Sequence, residues 1–395
     1  MTNKPSPVRT GHYKVVISRW INFFFWLFLV VSIGACAPAN LRVIKNPESD
    51  NWDGKRGMYK NLFQPRYGYL EETEYDSIDF LEPHERKPHK YKLLKDPRGD
   101  IDRTLGYDPS DYSVAPDLNL LRKPTHAVQI TWLRHATFLI QLGEEHQILV
   151  DPVIEELDGM VGLLGKYTEI GTLYADSPLA TRDLPIEDGS GHSGRNQRNI
   201  VAISHDHYDH LNYKTLKKLA PDMNYYIPLG LQREFPSRFI NVTAMDWYTQ
   251  DQLGDLTITF LPANHRSGRS LYEMNQNLWG GWLFEWKGYR VYFAGDTGYS
   301  ALFKDIRRRY GEMDVCLMPI AAWFQRPWHF APEDAVRAAQ DLDCKTLIPW
   351  AWGTWIMSYE HLLEPPRRLQ YAYDHMQPEN MELRILKMGE TYTLD

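Results

Sequence analysis

Residues 200–211 of the 395-residue chain read Ile200-Val201-Ala202-Ile203-Ser204-His205-Asp206-His207-Tyr208-Asp209-His210-Leu211, and they are the strongest indication of its fold. Its apolar first four residues predict a buried strand, and the pattern H-x-H-x-D-H begins where that strand ends. Placing three imidazoles close together among carboxylates costs free energy unless a cation binds to them. His205 and His207 can point to one side of an extended loop, whereas Asp209 and His210 reach a second centre. The spacing favours two adjacent metal ions over one; a solvated polar loop is the alternative.

Further candidate ligands follow two other predicted strands. Residues 256–262 alternate apolar and polar side chains and lead into Asn264-His265. Residues 290–294 form a second, mainly apolar predicted strand, which is followed by Gly295-Asp296-Thr297-Gly298. Because the glycines allow a tight turn, Asp296 can lie where one carboxylate bridges two cations. A lone histidine after a strand, or a GDTG turn, is usually structural, but together with the first motif they indicate a metal site.

These residues resemble the metallo-β-lactamase superfamily, and within it the branch of N-acyl-phosphatidylethanolamine phospholipase D. The resemblance covers roughly residues 125–395, with matching segments at WLRHAT (132–137), LVDP (149–152), SHDHYDHL (204–211), LPANH (261–265), LWGGW (278–282), FAGDTGY (293–299) and HFAPEDA (329–335). It implies an α/β fold of the αββα type, in which two mixed sheets pack face to face with helices outside. It also implies a first zinc site with four ligands (His205, His207, His265, Asp296) and a second with three (Asp209, His210 and the shared Asp296) plus a late histidine.

That late histidine is missing from this chain. Ala351 stands at its position in the segment IPWAWGTW (348–355), and a methyl group cannot bind a metal. Asp209, His210 and Asp296 with water would still complete four-coordination, but more weakly, so the sequence allows one or two zinc ions. His329 could supply the missing imidazole, although a role beside the ligands or the substrate suits it better.

The chemistry expected of such a site is hydrolysis. A metal lowers the pKa of bound water from about 16 toward about 7 and takes up charge on a carbonyl or phosphoryl oxygen. We predict Asp209, Asp296 and His329 as catalytic residues, with Asp209 orienting the nucleophile. A phospholipase D-like phosphodiesterase acting on an N-acylated or other phospholipid is the first expectation from the resemblance. A lactone or other ester hydrolase is the enzymatic alternative, and a non-catalytic envelope lipoprotein on a decayed scaffold is the second.

The N-terminus predicts export and attachment to a membrane. Residues 21–33 are almost uninterruptedly apolar and follow a segment with four cations and no acidic residue (Lys4, Arg9, Lys14, Arg19). A run of 13 residues is short for a bilayer span, which needs about 20, and is typical of a secretory signal. Residues 33–36, Ile-Gly-Ala-Cys, look like a bacterial lipobox, so Cys36 is expected to carry lipid in the outer membrane, facing the periplasm. An uncleaved inner-membrane signal anchor is the alternative.

The net charge of the chain indicates which classes of binding partner to expect. The formal net charge is −7, and removal of the four leader cations makes it −11. Non-specific binding to nucleic acid depends on contacts from lysine and arginine to the phosphate backbone. An acidic protein disfavours such contacts, so nucleic acid is not an expected partner. The acidic net charge also disfavours electrostatic docking on anionic lipid. We therefore expect the lipid anchor to hold the protein at the membrane that contains its substrate. The sequence does not indicate an oligomeric state.

Three regions are predicted along the chain: a leader (1–36), a polar tether with an irregular extension (37–124) and the hydrolase domain (125–395). In the last region a helix is expected to start at Pro332, and a loop at residues 187–196 to lie close to the site. Cys316 and Cys344 could pair in an oxidising compartment, but the sequence leaves this open.

Four residues are predicted to bind substrate. Trp323 and Phe324 belong to an aromatic cluster that could receive acyl chains or face the membrane interface; packing in the core is the alternative. Arg266 and Arg326 carry guanidinium groups that can pair with a phosphate.

Overall fold

The computed structural model describes residues 37–67, 73–85, 104–157, 173, 175–186, 198–270, 272–358 and 360–395. The strands in these ranges are β1 (Asn40–Ile44), β2 (Trp52–Asp53), β3 (Met58–Tyr59), β4 (Val128–Arg134), β5 (Thr137–Leu142), β6 (His146–Val150), β7 (Arg198–Ala202), β8 (Asn224–Pro228), β9 (Asn241–Met245), β10 (Thr249–Leu253), β11 (Leu256–Leu261), β12 (Gly281–Trp286), β13 (Tyr289–Phe293), β14 (Met313–Pro319), β15 (Cys344–Trp350), β16 (Glu382–Leu383) and β17 (Thr391–Leu394). The α-helices are α1 (Leu118–Arg122), α2 (Tyr213–Leu216), α3 (Leu302–Tyr310), α4 (Pro332–Asp341) and α5 (Glu364–Met376). Short 3₁₀ helices lie at Glu74–Ser77, Pro83–Glu85, Pro109–Tyr112, Thr181–Asp183, Leu231–Arg233 and Trp323–Gln325.

Two large mixed sheets carry the fold. The first has the strand order β1-β9-β8-β7-β6-β5-β4-β17, and the second β10-β11-β12-β13-β14-β15-β16. In the first sheet β1, β9, β8, β7 and β6 run parallel, and β5, β4 and β17 are antiparallel to their neighbours. In the second, antiparallel hairpins from β10 to β13 give way to parallel pairing from β13 to β16.

Alternating apolar side chains place the first sheet between two cores. Ile148 and Val150 of β6 enter the core shared with the second sheet, and Leu149 between them enters the core on the opposite face. The sheets meet directly, because the rings of Phe138 in β5 and Phe293 in β13 lie 6.3 Å apart. Helices α3, α4 and α5 cover the second sheet, and their buried apolar residues belong to the same continuous apolar cluster as the core between the sheets. The predicted αββα sandwich is confirmed.

Residues 37–124 contribute more regular structure than the sequence indicated. Strand β1 pairs in parallel with β9 at the edge of the first sheet, with Asn40 opposite Asn241. A single five-residue strand that pairs with a segment about 200 residues away leaves little periodic signal, which is why the sequence pattern did not reveal it. Residues 38–395 form one compact unit.

Several predictions about the N-terminus and loops lie outside the described residues. They include the leader at 1–36 with Cys36 and the loop at 187–196. Among the described residues, no helix is both long and apolar enough to cross a membrane.

Cys316 and Cys344 form a disulfide between neighbouring parallel strands. Their Cα atoms are 6.2 Å apart, within the range that the bond requires. Both side chains are buried, and the bond ties β14 to the start of β15. The structure thus settles the pairing that the sequence left open.

Candidate metal centre

The candidate site lies where loops leave the ends of strands from both sheets. His205 and its motif follow β7, His265 follows β11, and Asp296 follows β13. Ala351 begins the loop after β15, and His135 lies in the two-residue turn between β4 and β5. The two sheets therefore meet at an edge that is lined by imidazoles and carboxylates.

A tight turn brings Asp296 into this edge. Gly295 has a φ of 62°, and a Cβ atom there would collide with the carbonyl oxygen of Gly280. Only glycine combines that φ with so close an approach of the two backbones. Steric constraints therefore require a glycine directly before Asp296. The turn places the Asp296 carboxylate between the two halves of the site.

The first cluster consists of His205, His207, His265 and Asp296, whose ligand atoms lie within 4.8 Å of one another. His207 Nδ1 is 2.8 Å from His205 Nε2 and 3.2 Å from His265 Nε2. Asp296 Oδ2 is 3.5 Å from His265 Nε2 and 3.8 Å from His205 Nε2. Ligands about 2.0–2.1 Å from a tetrahedral zinc ion are separated by about 3.3 Å, so these four atoms fit one such ion.

Neighbouring groups orient two of these imidazoles. His265 Nδ1 lies 2.8 Å from the backbone carbonyl of Trp328, to which it donates a proton, and this leaves the Nε2 lone pair toward the cluster. His205 Nδ1 lies 2.9 Å from the hydroxyl of Ser204. Burial lowers the pKa of both His205 and His265 well below the usual value, so both are neutral near pH 7, the form that binds metal.

A second group consists of His135, Asp209 and His210, whose ligand atoms also lie within 4.8 Å of one another. His135 Nε2 is 3.0 Å from Asp209 Oδ2, which in turn is 3.7 Å from His210 Nε2. His210 Nε2 is 3.3 Å from Asp296 Oδ2, so Asp296 belongs to the surroundings of both groups. All six ligand residues that the sequence singled out are thus brought together, and His135 joins them.

His210 carries a buried nitrogen that a cation would satisfy. Its Nδ1 lies 2.7 Å from Asp151 Oδ2, and its Nε2 has no hydrogen-bond partner of good geometry among the described residues. Burial would lower the pKa of His210, but the carboxylates of Asp296 and Asp209 outweigh it and raise the pKa well above the usual value. The surroundings therefore favour positive charge at this place, and the donor set suits a metal ion.

A cavity of about 350 Å³ opens beside both groups. Its polar lining includes His135, Asp209, Asp296, Arg266 and His329. Its apolar lining comes from the segment after β15, namely Trp352, Trp355, Ile356, Met357 and Leu362. The same cavity is thus lined by charged and polar groups and by a wall of apolar side chains.

Two of the predicted substrate-binding residues are buried elsewhere. Arg326 is 4% exposed and forms ion pairs with Asp76 at 2.9 Å and Glu333 at 3.2 Å. Trp323 is also buried and packs against the guanidinium of Arg368 at 4.9 Å. Among the described residues, the cavity lining includes neither of them, nor the half-buried Phe324. Burial of Trp323 and the ion pairs of Arg326 contradict the prediction for these two residues, that for Phe324 stays a prediction, and Arg266 does line the cavity.

Sequence reasoning assigned no role to His135 or Asp151, although both lie in segments that carry the resemblance. Asp151 follows β6, is fully buried and accepts hydrogen bonds from His210 Nδ1 and from the backbone N–H of Ser204 at 2.6 Å. The sequence feature that could have identified His135 and Asp151 is their position directly after a strand that ends near the H-x-H-x-D-H motif.

The fold and this donor set define a metal-dependent hydrolase. Residues 146–352 match the family model described as the beta-lactamase superfamily domain. A Caenorhabditis elegans protein named N-acyl-phosphatidylethanolamine-hydrolyzing phospholipase D 1 is 30% identical over 374 residues, which cover 89% of this chain and 93% of that one. The chain belongs to the metallo-β-lactamase superfamily, in the branch that is similar to that phospholipase.

Two further likenesses agree with this assignment. A protein of Thermococcus kodakarensis named as a metal-dependent hydrolase is 28% identical over 272 residues, which cover 68% of this chain and 100% of that protein. A solved structure, a possible metal-dependent hydrolase from Veillonella parvula, superposes with a TM-score of 0.51 and 18% identity. It covers 68% of this chain and 100% of that structure, and it supports the fold.

Proposed function

We propose that the protein is a zinc-dependent phosphodiesterase that cleaves a membrane phospholipid in the manner of a phospholipase D. The observation that carries the proposal is the cavity, which joins the imidazole and carboxylate groups and the Arg266 guanidinium to the apolar wall from Trp352 to Leu362. A phospholipid needs this combination, because its phosphate is charged and its acyl chains are apolar. The 30% identical relative that is named for hydrolysis of N-acyl-phosphatidylethanolamine supports the same substrate class.

The residues of the site suit hydrolysis of a phosphodiester. His205, His207, His265 and Asp296 would hold zinc, which supplies an activated water at neutral pH and stabilises charge on a phosphoryl oxygen. Burial alone would raise the pKa of Asp209, but His210 and His135 lower it below its usual range, so the carboxylate is ionised and can accept a proton from water. The Arg266 guanidinium lines the cavity and can pair with a phosphate oxygen.

His329 is proposed to contact the reacting groups without binding metal. It lines the cavity, and its Nδ1 is 3.8 Å from Asp296 Oδ2. Burial lowers the pKa of His329, so at pH 7 its neutral imidazole can donate a hydrogen bond to a phosphoryl oxygen or to the departing head group.

The substrate is tested by incubating the full chain, in mixed detergent micelles, with N-acyl-phosphatidylethanolamine, phosphatidylethanolamine and phosphatidylcholine. We expect phosphatidic acid and the free head group as products, and in H₂¹⁸O one heavy oxygen in the phosphate, because water attacks phosphorus. The variant Arg266→Gln is expected to raise KM for these lipids with a smaller change in kcat. Release of fatty acid without phosphatidic acid would instead identify an ester hydrolase.

We also propose that the protein acts outside the cytoplasm, held at the outer membrane by lipid on Cys36. The Cys316–Cys344 disulfide supports this location, because disulfides persist in oxidising compartments. The acidic net charge of −7 favours a lipid anchor over electrostatic docking on anionic lipid.

The anchor is tested by growing a bacterium that expresses the full chain with an alkyne-labelled fatty acid. We expect covalent label on the wild type, none on Cys36→Ser, and the labelled protein in the outer-membrane fraction. Ala37→Ser is the matched control, since it changes the neighbouring residue by one small side chain and leaves both the Cys36 thiol and the Cys316–Cys344 disulfide in place. Equal labelling of the Cys36→Ser variant would refute the anchor and leave the inner-membrane alternative.

A further inference from the structure

We propose that His135 is the ligand that replaces the absent late histidine and completes a second metal site with Asp209, His210 and the shared Asp296. Relatives in the resembling branch are expected to place an imidazole where this chain has Ala351. The structure supplies an imidazole from the opposite sheet, in the turn after β4. The inference rests on metal binding at the first cluster, and it adds a ligand from outside the motif.

The distances support this assignment. His135 Nε2 lies 3.0 Å from Asp209 Oδ2, and His210 Nε2 lies 3.3 Å from Asp296 Oδ2. These separations match the spacing of about 3.3 Å between ligands of a tetrahedral zinc ion with bonds of about 2.0–2.1 Å. Asp296 Oδ2 is also 3.5 Å from His265 Nε2, so one carboxylate faces both sites.

An independent observation points to a cation at this position. His210 is fully buried and its Nδ1 is engaged by Asp151, which leaves Nε2 without a hydrogen-bond partner among the described residues. That nitrogen is aimed at Asp209 and Asp296, at 3.7 and 3.3 Å. A buried lone pair between two carboxylates is unfavourable unless a proton or a metal ion lies there.

The neighbours of His135 hold its ring in the space beside Ala351. The ring of Trp355 packs edge-on at 4.9 Å, and that of Trp350 lies at 6.2 Å. The backbone N–H of His135 donates to Thr354 Oγ1 at 3.2 Å. Trp350 ends β15, Thr354 and Trp355 lie on the loop that Ala351 begins, and both His135 and Ala351 line the cavity.

His329, the substitute considered from the sequence, lies on the other side. Its ring centroid is 4.9 Å from that of His265, a first-cluster residue. Its ligand atoms do not belong to either of the two compact groups found among the described residues, whereas those of His135 do. Proximity to Asp209 and His210 therefore distinguishes His135 from His329.

The proposal is tested by counting zinc on the full chain after chelation, reloading and gel filtration. The wild type is expected to retain two equivalents and His135→Asn one. Asparagine suits the position because the φ of His135 is 45°, a left-handed value that asparagine tolerates, so the variant is expected to keep the backbone of this turn. Cobalt loading gives a second readout: two adjacent ions in the wild type are magnetically coupled, and the single ion in the variant is not.

Two further variants make the assignment specific. His329→Asn is the matched control and is expected to keep both equivalents. Adding Ala351→His to His135→Asn is expected to restore the second equivalent, because it places an imidazole at the position where the family resemblance implies the late histidine.

The outcomes separate the two proposals. Two equivalents on His135→Asn, or loss of one on His329→Asn, would overturn the role of His135. One equivalent on the wild type would overturn the second site but leave the proposed function intact. A wild type that binds no zinc would overturn both.

Discussion

Replacement of His265 with alanine is expected to lower hydrolytic turnover at least about 10³-fold. His265 Nε2 lies 3.2 Å from His207 Nδ1 and 3.5 Å from Asp296 Oδ2, at the centre of the first cluster. A bound metal stabilises the transition state by several kcal/mol, and each 1.36 kcal/mol corresponds to about tenfold in rate. Loss of one of four ligands removes that metal or leaves it in the wrong geometry.

The measurement pairs turnover with zinc content, so that a loss of activity can be traced to a loss of metal. His126→Ala is the matched control, because His126 lies at the surface, where its Nδ1 pairs with Asp395 at 2.8 Å. It should retain both wild-type turnover and wild-type zinc. Circular dichroism and thermal unfolding in the presence of a chelator show whether His265→Ala is folded. A folded His265→Ala protein with unchanged turnover would contradict a catalytic role for the first cluster.

Replacement of Arg368 with methionine is expected to lower the free energy of unfolding by about 3–5 kcal/mol, which is the usual cost of removing one partner from a buried ion pair. Arg368 is fully buried and makes two hydrogen bonds to Glu333, at 2.8 and 2.6 Å, and one to Asp76 at 2.9 Å. Without Arg368, the two carboxylates lose one of their two guanidinium partners and keep Arg326 and the hydrogen bonds from Thr73. Asp76 belongs to the polar segment before the hydrolase domain, so the same change loosens the attachment of that segment.

The effect depends on pH in a defined direction. Burial raises the pKa of Asp76 and of Glu333, but the two guanidinium groups outweigh it and lower both pKa values below their ordinary 3.8 and 4.5. The stabilisation is therefore fully present above about pH 4.5 and is lost as the pH falls through the lowered values.

Urea unfolding at pH 7 measures the change. Arg307→Met is the matched control, because Arg307 pairs with Asp343 at the surface and such exposed pairs are worth about 0–1 kcal/mol. Equal midpoints for Arg368→Met and the wild type would show that the buried pairs contribute nothing net to stability.

The ligand motif could be predicted from the sequence because its members are local or follow strands directly. His205, His207, Asp209 and His210 lie within six residues, so their relative positions depend mainly on the loop after β7. His265 and Asp296 each follow an apolar run, and the ends of such strands meet at one edge of a sheet. These six residues are brought together in the structure as the sequence indicated.

The roles of the two arginines could not be separated by sequence alone. Arg266 and Arg326 have the same chemistry, yet one lines the cavity and the other is buried between Asp76 and Glu333. Asp76 lies 250 residues before Arg326, so no local sequence pattern predicts this ion pair. The same holds for β1, which pairs with β9 across about 200 residues.

The apolar strands and the polar motif at their ends could be predicted from the sequence, because side-chain period and loop spacing are local properties. Which distant groups meet could not be predicted in this way. His135 and Ala351 are 216 positions apart, and only the packing of β4 against the end of β15 brings an imidazole to the place that Ala351 leaves without one. Contacts between sheets depend on how whole layers pack, and that is a property of the folded chain.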